Sequence, residues 1–148
     1  MEYMREYKAF LACEETKIPR FAVTCPDDVS RLMTDQCHMD RFITEEVWVL
    51  TLNVKGVVTG MQMVSKGGIA SAICEPRSIF LPAILAGAAS VIAVHNHPSG
   101  DCSPSKQDIE LTQQLYESGK ILGIPVMDHM IIGPEGNYFS FKEEGLLN

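Results

Sequence analysis

The sequence is short of basic charge, of paired cysteines and of long apolar runs, and each shortage removes a class of protein. Lys and Arg number 12 against 19 Asp and Glu, a net charge of −7. Phosphate neutralisation needs a basic face, so direct nucleic-acid binding by this acidic chain alone is not expected. The five cysteines, Cys13, Cys25, Cys37, Cys74 and Cys102, include no C-x-x-C pair, and their odd number suits reduced thiols better than a disulfide framework. The apolar run Ile79 to Val94 is interrupted by Pro82, Gly87 and Ser90 and falls short of the roughly 20 residues of a membrane helix. Met1 to Cys13 alternates charges with aromatics and lacks the basic-then-apolar order of a secretory signal, so a cytoplasmic protein is expected.

What is present reads as one globular body. A chain of 148 residues with 46% hydrophobic and 21% charged residues is long enough for a single core and too apolar for disorder. The expected organisation is a lead-in, residues 1–25, packed on one domain spanning 26–148. Pro26 to Gln36 carries Val29, Leu32 and Met33 at helical spacing behind a possible cap at Pro26-Asp27-Asp28. Val47–Leu52 and Val57–Val64 are β-branched runs around the turn Asn53 to Gly56, and a third strand is expected at about Ile69–Cys74. A helix should open at Pro76 and end near Gly87, kinked by Pro82 or starting later because of it. Ser90–Val94 is wholly apolar, as in a strand covered on both faces. Ser103 can cap a helix with Pro104 in its first position, ending at Gly119 or Gly123. Strands at Ile124–Ile132 and Tyr138–Phe141 close the chain, and the succession of strands and helices argues for a mixed sheet packed by helices.

Chemistry concentrates in His95 to Asp108. Residues two apart on an extended chain face one side, and Pro98 keeps His97 out of the helical region, so His95 and His97 can aim at one centre. Ser105 and Asp108 share a face in the opening of the next helix, and a bend at Pro98 to Gly100 can return that face to the histidines. Two imidazoles and one carboxylate suit Zn²⁺ with a fourth position open to water, the arrangement of catalytic sites. Asp128-His129 reads first as a hydrogen-bonded or exposed strand pair and second as support for a ligand. Cys102, between the ligands, reads as an ordinary loop cysteine.

The spacing H-x-H, ten residues, then Asp, with Ser three before that Asp, resembles the JAMM motif of JAB/MPN metalloprotease domains. Pro76-Arg77, His95 to Asp101, the Ser105 to Thr112 helix and Ile124 to Gly133 resemble the bacterial RadC family within it. The resemblance spans about Pro26 to Phe141. It implies an α/β fold, an α-β-α arrangement around a curved, mixed and largely antiparallel sheet. It also implies one zinc ion held by His95, His97 and Asp108. Ser105 would hydrogen-bond the developing oxyanion, and Glu46, entering the first core strand, would be the general base, with the adjacent Glu45 facing away. RadC-type chains usually carry an N-terminal helix-hairpin-helix region, and no glycine-rich hairpin of that kind is read in Met1 to Cys25.

The expected activity is therefore cleavage of a peptide or isopeptide bond in a peptide or protein substrate by zinc-activated water. The alternatives are a DNA-repair-associated factor, whether a metal-dependent nuclease or a DNA-associated protein, and a non-catalytic metal-binding scaffold. His95-Asn96-His97 is not an HNH nuclease signature, whose residues are dispersed, and the H-x-E and P-C-x-x-C pattern of zinc deaminases is absent.

Overall fold

The computed structural model describes residues 2–67 and 74–147. Five strands form one sheet in the order β2-β1-β3-β4-β5. β1 (Glu46–Leu52) and β2 (Val58–Lys66) form the expected antiparallel hairpin. β3 (Ser90–Asn96) pairs antiparallel with β1 and parallel with β4 (Val126–Ile132), and β5 (Tyr138–Ser140) returns antiparallel to β4. The sheet is thus mixed. Most of the expected strand at Ile69–Cys74 lies outside the described residues, and Cys74 itself is not in a strand.

Period-two alternation splits the sheet into two apolar faces. Val47, Val49, Val91 and Ala93 point toward α2 (Pro76–Leu85) and α3 (Lys106–Leu122), where Ile79, Phe80, Leu111 and Leu115 meet them. Leu50, Leu52, Ile92 and Val94 point the other way, onto Val29, Leu32 and Met33 of the segment beginning with α1 (Pro26–Arg31). Every residue of β3 is buried, as its apolar run predicts. Six residues are too few for an autonomous helix. α1 and the turn that continues it form because Val29 and Met33, both 0% exposed, each gain on the order of 2 kcal/mol from burial.

Local chemistry moved several boundaries. The first helix tightens into α1 and then widens to a π-turn at Leu32–Gln36, where the Cys37 N–H reaches back five residues to the Leu32 carbonyl. Pro82 neither delays α2 nor ends it; the helix runs through it with the proline buried beside Ala83, so apolar burial offsets the lost hydrogen bond. Ser105, not Ser103, caps α3. Its Oγ accepts from the Asp108 N–H at 3.1 Å while the Asp108 carboxylate accepts from the Ser105 N–H at 2.7 Å, a reciprocal box that Ser103 lacks the partner to build. α3 ends at Gly123 in the left-handed region (φ 69°). Of the lead-in, residues 2–17 are exposed without regular structure, and Ala22 forms a bridge with Val57.

Candidate metal centre

Three elements deliver the centre. His95 stands near the end of β3, and His97 lies just past it, where its N–H still bonds the Ile132 carbonyl at 3.2 Å. A turn closed by the Gly100 N–H on the His97 carbonyl (3.0 Å), with Gly100 at φ 87°, reverses the chain toward the start of α3. Asp108 there is 1% exposed and His95 0%. His95 Nε2 and His97 Nε2 are 3.0 Å apart, Asp108 Oδ1 is 3.3 Å from the first and Asp108 Oδ2 3.1 Å from the second. The reciprocal cap with Ser105 aims that carboxylate, so the residue that starts the helix also orients the acid.

Burial works to raise the Asp108 pKa, but the contacts with the His95 and His97 imidazoles and the hydrogen bond from the Ser105 N–H outweigh it and hold the carboxyl well below its usual range. Asp108 is therefore an anion facing two imidazoles. The Asp108 hydrogen bond, opposed by partial burial, raises the His97 pKa. The opposite holds at His129, wholly buried on β4, where desolvation foremost and then His95 push the pKa well below the ordinary histidine value.

A fourth side chain joins them. Glu45 Oε1 lies 3.9 Å from His95 Nε2 and 4.0 Å from His97 Nε2. Glu45, His95, His97 and Asp108 form the one group of ligating atoms among the described residues able to hold a metal ion. Glu46, the base expected from the sequence, is not in this group. Its carboxylate accepts from Trp48 Nε1 at 2.9 Å and pairs with Lys66 at 3.6 Å, away from the cluster. Strand parity is the reason. Val47 sits opposite His95 in the β1/β3 register, so Val47 and the odd positions share the face of the histidines, while Glu46 and Trp48 belong to the other. Asn96 fixes the segment around Glu45: its Oδ1 accepts from the Glu46 N–H at 2.8 Å and its Nδ2 donates to the Thr44 carbonyl at 3.0 Å.

His129 and Thr112 complete the surroundings. His95 Nδ1 is 2.8 Å from His129 Nε2, His129 Nδ1 is 2.6 Å from Thr112 Oγ1, and Thr112 donates to the Asp108 carbonyl at 2.6 Å. Of the two readings of Asp128-His129, the structure places His129 against a member of the cluster. Asp128 turns instead to Ser140 Oγ (2.5 Å) and the Lys142 N–H (3.0 Å), its pKa raised by burial against those bonds. Cys102 packs on Gly133, where a Cβ would come within 2.3 Å of its sulfur, and burial, with the Asp101 charge, keeps the thiol protonated.

A mixed sheet between helices, with an H-x-H pair and a helix-borne aspartate meeting at the end of its central strand, defines a JAB-type domain with a potential metal centre. Residues 23–146 match the RadC-like JAB domain, and the chain belongs to that family. It is 42% identical over 146 residues to a UPF0758 protein of Clostridium acetobutylicum, covering 99% of this chain and 60% of that protein. Comparable relatives are UPF0758 proteins of Caldanaerobacter subterraneus (44% identical, 88% of this chain, 54% of the relative) and Syntrophomonas wolfei (47%, 86% and 55%). The chain thus spans little more than half the length of these relatives.

Proposed function

We propose that this domain is a zinc-dependent hydrolase of the JAMM type, acting on a peptide or isopeptide amide bond in a peptide or protein substrate. The donor set fits zinc. Tetrahedral ligation with bonds of about 2.0–2.2 Å separates donors by about 3.3 Å. The two imidazole Nε2 atoms are 3.0 Å apart, and each meets one oxygen of the Asp108 carboxylate, at 3.3 Å for His95 and 3.1 Å for His97. One zinc ion held there would supply Lewis acidity and lower the pKa of water.

The observation that carries the hydrolytic reading is the set-back of Glu45. At 3.9 and 4.0 Å from the imidazole nitrogens, its carboxylate stands farther out than the three ligands stand from one another, a distance that suits a base serving an attacking water better than a fourth ligand. Glu45 would accept the proton of that water as it attacks the amide carbon and return it to the departing amine. Ser105 Oγ already accepts from the Asp108 N–H, so its own proton is free to donate to the carbonyl oxygen as negative charge builds there. Asn96, bonded on both sides of Glu45, would keep the base in register. The net charge of −7 favours this reading over a nuclease that must approach phosphates.

The test is zinc content of the purified protein together with turnover of a peptide library and of single-stranded and duplex DNA. Glu45→Gln is expected to keep zinc and lose peptide cleavage by at least about 100-fold, the scale of a general base. Glu46→Gln should retain both. Cleavage that survives Glu45→Gln, or metal-dependent cutting of DNA alone, overturns the proposal.

A further inference from the structure

His129 and Thr112 take no part in the ligand set or the proton transfer, yet they join the side chain of one ligand to the main chain of another. Counting protons along that path fixes its direction. The Asp108 carbonyl oxygen can only accept, so the single hydroxyl proton of Thr112, 2.6 Å away, is committed to it. The contact of 2.6 Å between Thr112 Oγ1 and His129 must then be donated by His129 Nδ1. His129 is 0% exposed, and its ring bonds only Thr112 and His95 among the described residues, neither of them a carboxylate, so the ring is neutral and its second nitrogen, Nε2, holds a lone pair. His95 Nδ1, 2.8 Å off, must donate to that lone pair. One proton remains on His95 Nδ1, and its Nε2 is left as an unprotonated donor directed at His97 and Asp108.

We propose that His129, held by Thr112, is a positioning residue that locks His95 in the Nδ1–H tautomer and so makes its Nε2 a metal donor; the inference rests on the zinc reading above. The arrangement holds the ring as well as the proton. His129 stacks on Phe141 at 4.9 Å with 7° between the planes, and its N–H is held by Asp128 Oδ1 at 2.8 Å. His97 needs no such device. Its Nδ1 finds the Asp101 carbonyl at 2.7 Å on a loop, and its side chain is 14% exposed, so water can replace that partner. For His95, 0% exposed, no solvent substitute exists. A ligand whose orienting partner is removed typically loses about 10–100-fold in metal affinity.

Thr112 gives the discriminating test because it touches no ligating atom. Thr112→Val keeps the volume but removes the acceptor of His129 Nδ1, freeing that ring to carry its proton on Nε2 and drive the His95 proton toward the metal. Thr112→Ser keeps the hydroxyl. Zinc affinity measured by competition with a chromophoric chelator should fall about 10–100-fold in Thr112→Val and in His129→Phe, and stay within about 3-fold of the parent in Thr112→Ser. Imidazole ¹⁵N spectra of the metal-free parent should show His95 protonated at Nδ1 and bare at Nε2, a readout independent of any variant's folding. Parental affinity in Thr112→Val, or a His95 proton on Nε2 in the parent, overturns the positioning role while leaving the metal site standing. A parent protein that takes up no zinc overturns both.

Discussion

Glu45 and Glu46 are the same residue type one peptide apart, and only the direction of the backbone separates their surroundings. Glu45 faces two imidazoles, whereas Glu46 holds Trp48 and Lys66. The same geometry bears on Ser65, which pairs with Val47 on the opposite side of β1 from His95. Its Oγ is buried without a hydrogen-bond partner among the described residues, a desolvation cost with nothing to offset it. Ser65→Ala is therefore expected to stabilise the fold by about 1 kcal/mol, read as a higher midpoint in urea with an unchanged slope. A lower midpoint would mean the hydroxyl is satisfied.

At the scale of elements, helix ends are where stability can be tested. Asp28, in the first turn of α1, accepts from the Thr24 hydroxyl (2.7 Å), the Thr24 N–H (2.8 Å) and the Cys25 N–H (3.2 Å). The Thr24 hydroxyl foremost, then these N–H groups and Arg31, lower its pKa from 3.8 to about 2 against a small burial cost. A depressed folded-state pKa means this contribution is complete above pH 3.8 and is lost as pH falls through about 2. Asp28→Ala should cost about 1 kcal/mol at neutral pH, and the difference from the parent should vanish across that acid window. On the opposite face of the sheet, a Cβ on Gly119 of α3 would stand 2.6 Å from the Ile124 carbonyl and 3.4 Å from the Phe80 ring. Gly119→Ala, ordinarily favourable in a helix, should instead destabilise by about 1–3 kcal/mol, visible as a lower thermal midpoint. Element identity was legible in the sequence because it is local: the β-branched hairpin, the proline-led α2 and the apolar β3 all formed. Cap positions shifted where a reciprocal partner outcompeted a bare serine, as Ser105 with Asp108 did over Ser103.

Over the whole molecule, the sheet is sealed by helices on both faces, and the centre sits where β3 ends, α3 begins and β1 starts. No helix among the described residues is long and apolar enough to cross a membrane. On the proposed zinc reading, a site that exists only in the folded chain couples metal to global stability. Zinc at about 100 times its dissociation constant should raise the free energy of unfolding by about 2.7 kcal/mol, with reversal by a chelator. Calorimetry with and without zinc checks this, and no shift in the parent, or an equal shift in His95→Ala, would remove the cluster as the binding site.

The spacing of His95, His97 and Asp108 could be read from the sequence because a strand end, a glycine turn and a helix start are local structures of known pitch, and local pitch fixes which side chains converge. Which glutamate faces them, and that His129 stands behind His95, were decided by tertiary structure alone. Both faces of β1 are apolar, so alternation does not reveal which one turns toward α3; that depends on pairing Val47 with His95 across nearly fifty residues. His129 reaches its partner through parallel pairing of β4 with β3, a non-local register that the apolar composition of two buried strands leaves undetermined.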